Sequence, residues 1–218
     1  MKVVCNWNQD EAPALTVLDA REAPHPAPLA GKRLQGPSGR QELLLVGQAN
    51  VGKSVLFGRL TSSYALVSNY PGTTVEIFAG TAKAGGETWE VVDTPGIDTL
   101  DADSEDERVT VDLLRERTDA LLLQVGDAKN LRRTLLLNSE LVGLGRPMAL
   151  VLNMADEARQ AGIEVDCEYL EQQLGIPVVT LTAVTGEGMD GVRRALRQAR
   201  APRDPYRATD TLSVCGVG

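Results

Sequence analysis

The chain has 218 residues, 43% of them hydrophobic and 24% charged, which is enough to bury one ordinary α/β core. A formal net charge of −8 argues against a surface built for nucleic acid. Three scattered cysteines (Cys5, Cys167, Cys215) and a single histidine (His25) have the spacing of neither a zinc site nor a disulfide framework. No apolar run is long enough to span a bilayer, so no transmembrane segment is expected and a reducing cytoplasm is the expected location.

Residues 1–40 carry Pro13, Pro24, Pro26, Pro28 and Pro37 and predict a flexible, proline-rich leader, with one short strand at Leu15–Leu18. The core domain is expected over 41–200 and a C-terminal tail over 201–218. The apolar run Leu43–Val46 reads as a strand buried on both faces, and Ser54–Leu60 as a helix. Asn69–Thr74 is a loop by its Pro71-Gly72 step. Val75–Ala82 and Thr88–Val92 form a hairpin around Gly85-Gly86. Further buried strands fall at Ala120–Val125, Met148–Leu152 and Val178–Leu181. Helices are expected at Asp106–Arg117, Leu131–Leu144, Cys167–Leu174 and Asp190–Arg200. One hairpin followed by strand–helix units predicts an α/β fold, with a mostly parallel six-stranded sheet and helices on both faces.

Between the first strand and the first helix stands Gly47-Gln48-Ala49-Asn50-Val51-Gly52-Lys53-Ser54, a Gly-x4-Gly-Lys-Ser loop in the context that a phosphate-binding loop requires. Backbone N–H groups from Gly47 through Asn50, Val51, Gly52, Lys53, Ser54 and Val55 are placed to cradle phosphates, helped by the helix N-terminus. Lys53 reaches the β- and γ-phosphates, and the Ser54 hydroxyl is a Mg²⁺ ligand.

Three later motifs follow predicted strands, at the edge where open α/β sheets bind ligands. Asp93-Thr94-Pro95-Gly96 brings a carboxylate for a Mg²⁺-bound water and the Gly96 N–H for a γ-phosphate. Asn153-Met154-Ala155-Asp156 offers Asp156 to the N1–H and exocyclic amine of guanine, a pairing that adenine lacks. Thr182-Ala183-Val184 offers the Ala183 N–H to guanine O6. Thr74, with Thr73 as the alternative, is a second hydroxyl candidate for Mg²⁺. Together these motifs predict a guanine-nucleotide switch that binds GTP and GDP.

The residues then resemble one family, the G domain of the bacterial ferrous-iron transporter FeoB, from about Leu43 to Leu196. Asn69-Tyr70-Pro71-Gly72-Thr73-Thr74-Val75-Glu76 is similar to that family's switch segment. Asp93-Thr94-Pro95-Gly96-Ile97, Ser104–Leu113, Asp127-Ala128-Lys129-Asn130-Leu131 and Asn153-Met154-Ala155-Asp156 match in kind and spacing. The resemblance implies a Ras-like P-loop GTPase domain that hydrolyses GTP to GDP and phosphate with Mg²⁺. It also implies a role in ferrous-iron transport through a membrane permease or regulatory protein, peripheral to the inner face of the membrane.

Where Ras-like relatives place a water-orienting glutamine, this chain has Ile97, expected to pack beneath a switch loop. By the resemblance, Asn50 helps bind K⁺, and slow, K⁺-stimulated turnover rests on Asn50, Lys53, Thr74 and Gly96. Nucleotide state is expected to reshape Tyr64–Thr74 and Ile97–Glu107. A nucleotide sensor without turnover and a ribosome-associated GTPase stand as alternatives. Two charged stretches are also weighed. The acids Asp98, Asp101, Asp103, Glu105, Asp106 and Glu107 read as a hydrated mobile loop, with Fe²⁺ attraction as the alternative. The arginines at 193, 194, 197, 200, 203 and 207 read as a solvated helix end, with docking to an anionic membrane or acidic partner as the alternative.

Overall fold

The computed structural model describes residues 41–61, 66–84 and 87–202. The apolar run at Leu43–Val46 lies within β1 (Gln41–Val46), and all four of those residues are buried. β1 is interior to a seven-stranded sheet whose order is β2 (Leu66–Asn69), β3 (Glu76–Ala84), β4 (Glu87–Asp93), β1, β5 (Leu121–Asp127), β6 (Met148–Asn153) and β7 (Val178–Thr180). β1 pairs in parallel with β4 and β5, and β5–β6 and β6–β7 are parallel too; only β2–β3 and β3–β4 are antiparallel.

Successive side chains of a strand point to opposite faces, and both faces here are apolar. Leu44, Val46, Leu122 and Leu150 pack with Leu113 of α2 (Glu105–Glu116) and with Leu137 and Leu141 of α3 (Leu131–Val142). Leu43, Leu45, Leu121 and Leu123 pack with Leu56 and Phe57 of α1 (Lys53–Leu60) and with Val192 and Leu196 of α6 (Met189–Gln198). α4 (Ala155–Gln160) and α5 (Cys167–Leu174) complete the first layer through Ala158, Leu170 and Leu174. This is the expected α/β fold with helices on both faces.

Two elements depart from expectation. The sheet has seven strands, not six, because Leu66–Asn69 pairs antiparallel with Glu76–Ala79. The loop expected at 64–74 is therefore strand at 66–69 and a turn only from Tyr70 to Thr74. Residues 62–65 lie outside the described residues. α4 was also unforeseen; it starts directly after Met154, which has φ 62°. The leader, the Gly85-Gly86 turn, Cys5, Cys215, Arg203 and Arg207 lie outside the described residues as well.

The acidic stretch is not one loop. Glu105, Asp106 and Glu107 form the first turn of α2, where they complement its dipole. Ser104 and Glu107 close a capping box: the Glu107 N–H donates to Ser104 Oγ at 3.2 Å, and the Ser104 N–H to Glu107 Oε2 at 3.2 Å. Among the described residues no group of three or more His, Cys, Asp or Glu is gathered as a metal site. In the basic C-terminal stretch, Arg193 of α6 pairs with Asp190 at 2.9 Å, and Arg200, beyond the end of that helix, donates to the Gly175 carbonyl at 2.9 Å. No helix among the described residues is long and apolar enough to cross a membrane.

Candidate nucleotide site

The C-terminal ends of β1, β4 and β6 bring the motifs to one edge of the sheet, as the topology requires. The 47–54 loop leaves β1 and enters α1, whose N-cap is Gly52. Asn50 adopts φ 62°, a left-handed conformation that asparagine tolerates better than most side chains. Asn50 is exposed, and its amide has no partner among the described residues.

Lys53 is buried, and its ammonium donates to the carbonyls of Gly47 and Gln48, both at 2.9 Å. The loop thus curls around the ammonium of its own lysine. Burial lowers the Lys53 pKa, and the Asp93 carboxylate pulls it partly back up. The Ser54 hydroxyl donates to Asp93 Oδ2 at 2.7 Å, while Asp93 Oδ1 is buried without a partner among the described residues. Burial raises the Asp93 pKa against the opposing pull of the Ser54 hydrogen bond and the Lys53 charge. A hydroxyl beside an under-coordinated carboxylate is the hard oxygen donor set that suits Mg²⁺.

Gly96 sits against the phosphate loop so closely that a Cβ there would lie 2.8 Å from Ala49 N. The Ile97 N–H donates to the Gly47 carbonyl at 3.1 Å, and its side chain is 1% exposed, packed in the α2–α3 layer as expected. Asp98, next in the chain, takes Arg133 of α3 through both carboxylate oxygens at 2.7 and 2.6 Å. Gln48, buried within the loop, donates to the Arg133 carbonyl at 2.9 Å. Neither Gln48 nor Arg133 was singled out from the sequence; their meeting spans 85 residues.

On the base side, Asn153 joins two segments. Its Nδ2 donates to the Val51 carbonyl at 2.9 Å and its Oδ1 accepts from the Ala183 N–H at 2.9 Å. In this structure the Ala183 N–H, expected to face guanine O6, donates to Asn153, whose side chain fills the space between the two loops. Met154 follows in a left-handed conformation, and Asp156 stands half-buried in the first turn of α4. Thr182 is buried, Val184 is 77% exposed and Val55 is 44% exposed.

The second hydroxyl is not assembled with the rest. The Thr73 hydroxyl donates to the Tyr70 carbonyl at 3.0 Å and accepts from the Val75 N–H, so it is spent within its own turn. Thr74 is exposed, and its hydroxyl has no partner among the described residues. The turn itself is moored by Tyr70, whose hydroxyl donates to Glu116 at 2.7 Å.

Comparison with known proteins agrees with this geometry. Residues 41–196 match the family model described as Ferrous iron transport protein B. The chain is 36% identical over 165 residues to the Fe(2+) transporter FeoB of Synechocystis sp., covering 74% of this chain and 27% of that protein. It is 39% identical over 149 residues to the FeoB of Campylobacter jejuni, covering 68% and 24%. The chain thus spans about a quarter of the length of these curated relatives. Among solved structures, the G domain of T. maritima FeoB aligns with a TM-score of 0.66 at 34% identity, over 72% of this chain and 97% of that one. The cytosolic domain of L. pneumophila FeoB gives 0.70 at 34%, over 74% and 70%. Sheet order, phosphate loop and family match converge: the chain belongs to the ferrous iron transport protein B family and carries its Ras-like G domain.

Proposed function

We propose that the chain binds GTP and hydrolyses it to GDP and phosphate. We further propose that it acts as a nucleotide switch controlling ferrous-iron passage through a membrane permease, at the inner face of the membrane. The observation that carries this reading is the Ser54–Asp93 hydrogen bond beside Lys53, which joins the phosphate loop to the end of β4. A relative from S. thermophilus, 36% identical over 73% of this chain, has been solved bound to GDP, which supports the choice of nucleotide.

On binding, the Lys53 ammonium exchanges the Gly47 and Gln48 carbonyls for β- and γ-phosphate oxygens, which are stronger, charged acceptors. Ser54 and Asp93 would hold Mg²⁺, which would neutralise phosphate charge as it develops. Thr74 moves in from its exposed turn as the second hydroxyl. The Gly96 N–H meets the γ-phosphate, and Asp156 pairs with the guanine N1–H and amine. The Ile97 side chain has no polar atom with which to orient water, so we assign charge neutralisation at the phosphates to K⁺, which the amide oxygen of Asn50 would help to hold.

Phosphate release from GTP, compared in K⁺ and Na⁺ at equal ionic strength with Lys53→Ala as blank, tests the reading. K⁺-stimulated release that disappears in Asn50→Ala supports it. Rates at the blank level despite tight GTP binding would make the chain a sensor, and failure to bind GTP would remove the guanine reading.

A further inference from the structure

Resting on the guanine reading above, we propose that Arg59 is a positioning residue that aims the base-recognition loop from behind. Arg59 stands in the last turn of α1, the helix that begins at Lys53. Its Nε donates to the Ala183 carbonyl and its Nη2 to the Val184 carbonyl, across 124 and 125 residues of sequence. A trans peptide is planar, with its C=O and N–H pointing opposite ways. Gripping the Ala183 carbonyl therefore orients the Val184 N–H, and gripping the Val184 carbonyl orients the Thr185 N–H. Neither N–H has a hydrogen-bond acceptor among the described residues, whereas the Ala183 N–H is already committed to Asn153. The loop thus holds two unused donors whose direction is set by one guanidinium.

The rest of the loop is built to accept that guanidinium. The Thr182 N–H donates to the Glu187 carbonyl at 2.9 Å and the Gly186 N–H to the Thr182 carbonyl at 2.8 Å, closing a turn. Gly186 has φ 88°, and a Cβ there would lie 2.7 Å from Arg59 Nη1, so the guanidinium lies directly against glycine backbone. From the far side, Arg159 of α4 holds Glu187 at 3.0 Å. A surface arginine that merely complemented its own helix dipole would need none of this. Through α1, the element that places the phosphate lysine also aims the Val184 N–H at guanine O6, an acceptor that 2-aminopurine lacks.

The test compares GDP with the diphosphate of 2-aminopurine riboside, which lacks O6 and the N1–H but keeps the N2 amine, by competition against mant-GDP on the full chain; the readout is the change that Arg59→Ala causes for each nucleotide. In Arg59→Ala, GDP should weaken by about ten-fold, the loss of a charged hydrogen bond's orienting effect. Release of mant-GDP should accelerate to match. The O6-less analogue should change less than about two-fold, since it has no acceptor for the misaimed donor. Arg59→Lys, a point charge able to hold one carbonyl, should recover part of the GDP affinity; it also serves if Arg59→Ala fails to fold. Equal weakening of both nucleotides reduces Arg59 to a structural prop and overturns the inference, as does unchanged GDP release. A parent chain that fails to bind mant-GDP overturns the guanine reading itself, and the inference with it.

Discussion

Ser54 and Asp93, 39 residues apart, meet through a 2.7 Å hydrogen bond that leaves Asp93 Oδ1 buried without a partner among the described residues. A carboxyl whose pKa burial has raised holds its proton more tightly folded than unfolded. Stability therefore falls as pH climbs from the ordinary value of 3.8 through the raised folded value. Asp93→Asn should raise the melting temperature of the nucleotide-free protein at pH 7. The rise should be about 2–4 °C for each ~1 kcal/mol relieved, fading as pH falls toward 4. The same variant should lose the Mg²⁺-dependent tightening of GTP binding. Thermal melts across pH with mant-GTP titrations check both, and a lower melting temperature with Mg²⁺ dependence intact contradicts the account.

Gly96 packs on the phosphate loop at a distance that no side chain permits, with an added Cβ 2.8 Å from Ala49 N and 2.9 Å from its Cα. Gly96→Ala must push the segment after β4 away from the loop by several tenths of an ångström or more. The base contacts are remote from this change, so GTP affinity should fall only several-fold. Turnover should drop by roughly 10², because small misplacements at a reacting centre are amplified in rate. Single-turnover phosphate release separates the two effects; an unchanged rate would mean that Gly96 does not meet the γ-phosphate.

The phosphate loop, Asp93 and Asn153 were legible because their chemistry demands particular residues at fixed spacings, and each follows an apolar strand. β2 was not. Ser68 and Asn69 occupy half of its four positions, leaving no period to read, and its partner is a neighbouring strand. α4 is six residues long, too short for its apolar spacing to stand out. The contact of Asn153 with the Ala183 N–H was not foreseen, because a motif shows what a segment offers and not which neighbour lies beside it. Arg59 was illegible for the same reason, since its partners lie at the opposite end of the sequence.

Asp156 stands half-buried at the start of α4, in the position proposed to pair with the guanine N1–H and amine. Asp156→Asn replaces one acceptor with a donor, opposing the guanine amine and matching the C2 carbonyl of xanthine. GTP affinity should fall by roughly 10² or more, and xanthosine triphosphate should gain by a comparable factor. Competition of each triphosphate against mant-GDP reads the exchange. Loss of both nucleotides alike would mean that Asp156 supports α4 and does not read the base.

Asn153 satisfies two backbone groups at once, the Val51 carbonyl and the Ala183 N–H, and is itself buried. Asn153→Ala orphans both, and the chain should lose roughly 2–4 kcal/mol even without nucleotide. Asn153→Asp separates the two contacts. Its carboxylate still accepts from Ala183 but faces the Val51 carbonyl with charge and no proton. At pH 7 it should be at least as destabilised as the alanine variant. Acidification should favour the protonated form, whose O–H can donate to Val51, so the aspartate variant should regain stability relative to alanine as pH falls. Urea midpoints at pH 7 and pH 5 decide it. A rising gap in favour of aspartate on acidification ties the phosphate loop to the base loop through this one amide, whereas parallel behaviour of the two variants would show that only the lost volume matters.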